Sequence, residues 1–198
     1  MTALAATTGF TNAPLWFATR STALIAFVLL TLATVLGIAA TQRALASPAW
    51  PRFASQHLHR NLSLLAVGFM LAHVFTTLLD SFVQVSWWSL VVPGASSYKT
   101  FWVALGTLAF DIIVVITVTS LLRGRMSARS WRAVHLAAYG LWPLALVHFL
   151  QTGTDAAHGR WGLWLGLGSL AVVAAAAVGR LLTANPARPL RSVARSSR

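Results

Sequence analysis

The chain has 198 residues, 57% of them hydrophobic and 9% charged, with a mean hydropathy of +0.71 and nine tryptophans. That is too apolar for a water-soluble domain, although three acids against fifteen lysines and arginines leave a net charge of +12. The cations flank long apolar runs, so the partner they imply is membrane lipid and not nucleic acid.

Cysteine is absent, which excludes disulfides, iron–sulfur centres and thiolate nucleophiles; any metal chemistry must use histidine. The opening run MTALAATTGFTNA carries no cation before Arg20, a pattern that predicts no cleavable signal peptide. Residues 1–12 read as a flexible N-terminus, 13–183 as the membrane domain and 184–198 as a basic cytoplasmic tail.

A spanning helix takes about 20 mostly apolar residues. Five segments meet that requirement: about 15–40, 57–79, 101–122, 131–150 and 161–182. The connectors hold the breakers SPAWP, VPGASS and TGTD. The predicted fold is therefore all-α, an integral membrane bundle of about five helices.

Twelve arginines fall on one side of such a bundle: Arg43, Arg52 and Arg60, then Arg123, Arg125, Arg129 and Arg132, then Arg180, Arg188, Arg191, Arg195 and Arg198. Only Arg20, Lys99 and Arg160 remain for the other. The excess of cations marks the cytoplasmic side, so the N-terminus is expected outside and the C-terminus in the cytoplasm. Trp16 and Phe17, Trp87 and Trp88, Phe101 and Trp102, and Trp161 and Trp164 gather at the outer ends, as interfacial anchors do.

The histidines are the chemical feature. His59 and His73 are fourteen residues apart in the second span, and His135 and His148 thirteen apart in the fourth. At about 1.5 Å per residue both separations are roughly 20 Å along the axis. One intervening span makes the second and fourth run in the same direction. His59 should then share a level with His135 near the inner face, and His73 with His148 near the outer face.

Two neutral imidazoles facing each other between helices suit the axial positions of a haem. Both axial positions filled, such a group passes electrons instead of binding substrate. The pattern predicts two haems, with His59 and His135 on the inner iron and His73 and His148 on the outer.

At about 100° per residue, His59 and His73 fall within about 40° of each other, whereas His135 and His148 fall about 140° apart. Pro143 predicts a kink or a change of winding near Gly140 to Pro143 that returns His148 to the common face. His57 falls on the opposite face, at headgroup level, and His158 in a solvated outer loop. Arg20 is a candidate for an outer haem propionate and Arg60 and Arg132 for an inner one, with snorkelling to lipid phosphate the alternative for each. Asp111, mid-span, either bonds an imidazole or bonds a neighbouring helix as a neutral acid. Asp80, Tyr98, Lys99, Thr152, Thr154 and Asp155 form the outer mouth, where an acceptor would dock.

The pattern His59, His73, His135 and His148, with its fourteen and thirteen spacings on two spans separated by one, resembles the ferric reductase-like transmembrane domain. That family includes the membrane portions of NADPH oxidases and ferric-chelate reductases, and the resemblance covers about residues 13–180. The runs LHRNLSLLA and WRAVHLAAYGLWPLALVH look like bacterial members, which implies the bacterial cytoplasmic membrane.

The resemblance implies two b-type haems carrying electrons from a cytoplasmic donor to an outer acceptor: ferric iron, oxygen or a partner flavoprotein. The oxidases' flavin and NADPH-binding domain has no counterpart, since no GxGxxG follows a strand pattern, and their sixth span has none either. The expected donor is a separate cytoplasmic flavin reductase or quinol. A related reading is the quinol-oxidising haem subunit of a periplasmic reductase such as a methionine sulfoxide reductase system. From another class comes a histidine-lined metal transporter, which would add acids or thiols along its path; Asp111 is the lone intramembrane acid.

Overall fold

The computed structural model describes residues 13–40, 52–80, 85–157 and 161–183. The expected flexible N-terminus at 1–12, the tail at 184–198, the SPAWP connector, Arg43, His158 and Arg160 lie outside the described residues.

Among the described residues seven α-helices follow in order: α1 Ala13–Ala39, α2 Arg52–Leu79, α3 Thr100–Leu121, α4 Ala128–His135, α5 Ala138–Thr152, α6 Thr154–Ala157 and α7 Trp161–Thr183. Five stretches are long and apolar enough to cross a membrane, α4 and α5 together making the fourth. The protein is an all-α, multi-pass membrane protein. Its shortest span, 22 residues in α3, is about 33 Å long at 1.5 Å per residue, enough for a hydrocarbon core of about 30 Å.

In such a solvent each polar group must be satisfied from within. The hydroxyls do this by donating back one turn: Thr31 to the Phe27 carbonyl at 2.9 Å, Thr77 to that of His73 at 2.7 Å and Thr117 to that of Ile113 at 2.7 Å. Helix ends are tied down too. The Ser127 hydroxyl accepts from the Ser130 amide at 3.0 Å and caps α4. Lys99, just before α3 and in the left-handed region at φ 39°, donates from Nζ to the Gln151 carbonyl at 2.8 Å, in the last turn of α5.

The core joins Phe27 and Leu30 of α1, Ala109 and Ile113 of α3, and Leu141, Trp142, Ala145 and Leu146 of α5. Gly162, Gly166 and Ser169 are buried on α7, small residues that let it approach the bundle closely. The second span stands apart: α2 packs along α1 and makes no comparable contact with α3, α4 or α5. A gap is left between α2 and α5, the two helices that carry His73 and His148.

The bend in the fourth span is not where the sequence reading put it. α5 runs unbroken through Pro143, and the break falls earlier, at Leu136 and Ala137. Proline lacks the N–H that would bond the Tyr139 carbonyl, and its ring crowds that carbonyl. The chain adapts in the preceding turn, where the amides of Tyr139 and Gly140 reach the carbonyls of Leu136 and Ala137 at 3.1 and 2.9 Å, three residues back instead of four. Each residue so wound turns about 20° further than in an α-helix. That sense of rotation carries His148 back toward the face of His135.

Candidate functional site

The four histidines form two levels, called outer and inner after the orientation expected from charge. At the outer level His73 and His148 line one cavity of about 250 Å³ between α1, α2, α3 and α5. Its walls are mostly apolar, Leu30, Phe27 and Phe110 among them, and its mouth is polar, with Arg20, Asp80, Tyr98 and Asp155.

Both outer rings are held from behind by backbone. His73 donates from Nδ1 to the Thr19 carbonyl of α1 at 3.0 Å, and His148 from Nδ1 to the Trp102 carbonyl of α3 at 2.8 Å. With the proton committed to Nδ1, the lone pair of each neutral ring sits on Nε2. His148 has room only because position 106 is glycine: a Cβ there would lie 2.5 Å from its Cε1 and 2.6 Å from its Nδ1.

At the inner level the ring centres of His59 and His135 are 6.2 Å apart, with planes at 78°. His59 donates from Nδ1 to the Ala33 carbonyl at 2.9 Å and packs against Gly37, where a Cβ would come within 3.2 Å of Cε1. Ala33 and Thr19 are fourteen residues apart on α1, the same interval that separates their imidazoles on antiparallel α2. One helix thus orients both histidines of its neighbour. His135 differs, since its Nδ1 is buried and has no hydrogen-bond partner among the described residues. Its ring stacks on Trp131, centre to centre 4.8 Å at 20°, and the Arg123 guanidinium lies 4.3 Å over that indole.

Between the levels lies a stacked aromatic group. Phe27 is 4.7 Å from Phe149 at 7° and 6.5 Å from Trp142 at 24°. The Trp142 indole donates to the Thr31 hydroxyl at 3.0 Å, a buried bond joining α5 to α1.

The remaining expected residues divide. Arg20 is at the cavity mouth, but there it pairs with Asp155, Nε to Oδ2 at 3.1 Å and Nη2 to Oδ1, and lies 4.0 Å over the Trp16 ring. Arg60 and Arg132 are exposed and form no hydrogen bond or ion pair among the described residues. His57 is exposed, on the face away from the site. Asp111 is half-buried and makes no hydrogen bond to an imidazole or a neighbouring helix among the described residues.

Sequence reasoning did not find Gly37, Gly106, the three acceptor carbonyls, or the Trp142–Thr31 bond. Trp131, four residues before His135 on one helix, was legible as a stacking neighbour from spacing alone. Backbone acceptors on other helices leave no mark in a sequence.

The donor set discriminates between metals. Among the described residues no three histidines, aspartates or glutamates gather as a zinc site requires. A metal shared by two imidazoles at about 2.0 Å each, with ring centres ~1.1 Å beyond the nitrogens, needs centres roughly 6.2 Å apart. The inner pair meets that separation. Two histidines per level, a ring pair at the inner and two on one cavity at the outer, with the proton held on Nδ1 in three of four, are a donor set that suits a metal whose other ligands come from a macrocycle.

Fold and site thus describe a multi-pass membrane protein with paired histidines at two depths. The chain belongs to a family described as a domain of unknown function (DUF8596), which matches residues 14–155. The matched stretch holds all four histidines and both members of the Arg20–Asp155 pair, and ends before α7. No curated protein and no solved structure matches the chain, and no ferric reductase family is matched.

Proposed function

We propose that the protein is a di-haem b-type membrane cytochrome that passes electrons from a cytoplasmic or quinol donor to an extracytoplasmic acceptor. The observation that carries this reading is the 6.2 Å separation of the His59 and His135 rings, together with the Nδ1-to-carbonyl bonds that leave Nε2 free on His59, His73 and His148. The ferric reductase-like pattern of the histidines supports it further. Bound between such pairs, haem iron would supply one-electron chemistry without an open coordination position.

The residues' own part is mechanical. Ala33 and Thr19 fix two rings from α1, and Trp102 fixes a third from α3. Gly37 and Gly106 give His59 and His148 room. The loose packing of α2 leaves a slot between α2 and α5 wide enough to form a cavity. The Arg20–Asp155 pair lies at the mouth of that cavity with groups of opposite charge; in this reading the Arg20 guanidinium would also serve an outer propionate. In this reading the acceptor meets the protein at the same mouth.

An absorption spectrum of the purified protein before and after dithionite tests the proposal. About two low-spin b-type haems per chain are expected. His73→Ala and His148→Ala should each remove the same, outer haem and spare the inner one. A colourless protein, or variants that remove different haems, would sink the reading.

A further inference from the structure

Three of the four imidazoles are fixed at both ends, by a continuous helix and by a backbone carbonyl. His59 and His73 lie within α2 and bond Ala33 and Thr19; His148 lies within α5 and bonds Trp102. His135 has neither restraint. It is the last residue of α4, immediately before the break at Leu136 and Ala137. Its Nδ1 is buried without a hydrogen-bond partner among the described residues. Among the described residues the ring is stacked on the face of Trp131 and meets His59 edge-on.

A metal-bound imidazole that donates its second N–H to a carbonyl is held in orientation and made a stronger donor. His135 makes no such bond among the described residues, so it is both the weakest donor of the four and the one freest to turn. We propose that His135 is a displaceable ligand: the inner level exchanges it for a small uncharged diatomic molecule, while the outer level stays closed. The inference rests on the di-haem reading. The exchange is a substitution without redox change, in which the bond from iron to Nε2 of His135 breaks and one from iron to the incoming atom forms. The entering molecule must be small, because it takes only the volume the swung imidazole vacates. It is uncharged in this proposal, because it takes the place of a neutral ring whose Nδ1 is buried, where an added ion would be costly.

Carbon monoxide is the probe. It is titrated into the dithionite-reduced, full-length protein in zwitterionic nanodiscs and followed by difference spectroscopy. Half of the haem should take up carbon monoxide in the wild type. Trp131→Ala, which releases the ring further, should raise carbon monoxide affinity roughly two- to tenfold, the range a ring stack is worth, and Trp131→Phe should restore it. A wild type in which no haem binds carbon monoxide, or in which all of it does, overturns the proposal without needing any variant to fold. Failure of the di-haem reading is separate and visible earlier, as absence of haem absorbance before any gas is added.

Discussion

Gly106 and the His148 imidazole are in such close apposition that a single methyl group on the glycine would lie 2.5 Å from the ring. Neither moves easily: Gly106 is within α3 and His148 is tied by its Nδ1 to the Trp102 carbonyl one turn away. Gly106→Ala is expected to cost about 1–3 kcal/mol through overpacking and to displace the ring from the cavity. Gly37→Ala, where the approach to His59 is 3.2 Å, should cost less. Thermal unfolding in detergent orders the two; equal effects would contradict the difference in clearance.

Arg20 and Asp155 join the start of the first span to the short helix after the fourth, 135 residues away. Both side chains are partly exposed, at 30% and 18%, so water screens the pair. A double-mutant cycle with Arg20→Ala and Asp155→Ala should give a coupling of about 1 kcal/mol or less, weakening in high salt. A salt-insensitive coupling of several kcal/mol would mean that the pair is sealed from solvent.

The Trp142 indole and Thr31 hydroxyl are buried at 4% and 7% exposure and bond each other across the core. Trp142→Phe and Thr31→Val should each lower stability by about 0.5–2 kcal/mol, since a hydrogen bond between helices in a membrane contributes that order. The double variant should lose less than the sum of the two. Strict additivity in unfolding measurements would show that the bond contributes nothing.

Asp111 has no hydrogen bond or ion pair among the described residues although it stands in the third span. Asp111→Leu should therefore leave the absorption spectrum unchanged and not lower the thermal midpoint, because it replaces a polar group by one that the hydrocarbon accepts. A clear drop in the midpoint would reveal a contact made by this carboxyl in the bilayer.

How much of this was legible beforehand follows from the kind of information each feature needs. The five spans were read from hydropathy, and their helices coincide with the apolar runs because a hydrocarbon solvent requires every backbone group to be satisfied within its own segment. The pairing of His59 with His135 followed from counting residues, because helical rise converts sequence distance into height. The bend in the fourth span was foreseen from Pro143 but placed about one turn too late, since a proline disturbs the carbonyl four residues before it and the winding adapts there.

What the sequence determined alone was thus local: the apolar segments, the spacing of the histidines along each helix, and the absence of thiol chemistry. Tertiary structure decided which carbonyl receives each Nδ1, that Arg20 meets Asp155, that Gly37 and Gly106 are the residues against the imidazoles, and that α2 stands clear of α5 to leave a cavity. These depend on the register between helices far apart in the chain, which packing sets and no single helix encodes. The Nδ1 of His135, without a partner among the described residues, belongs to the second kind, because which acceptors surround a ring is set by the packing of other helices.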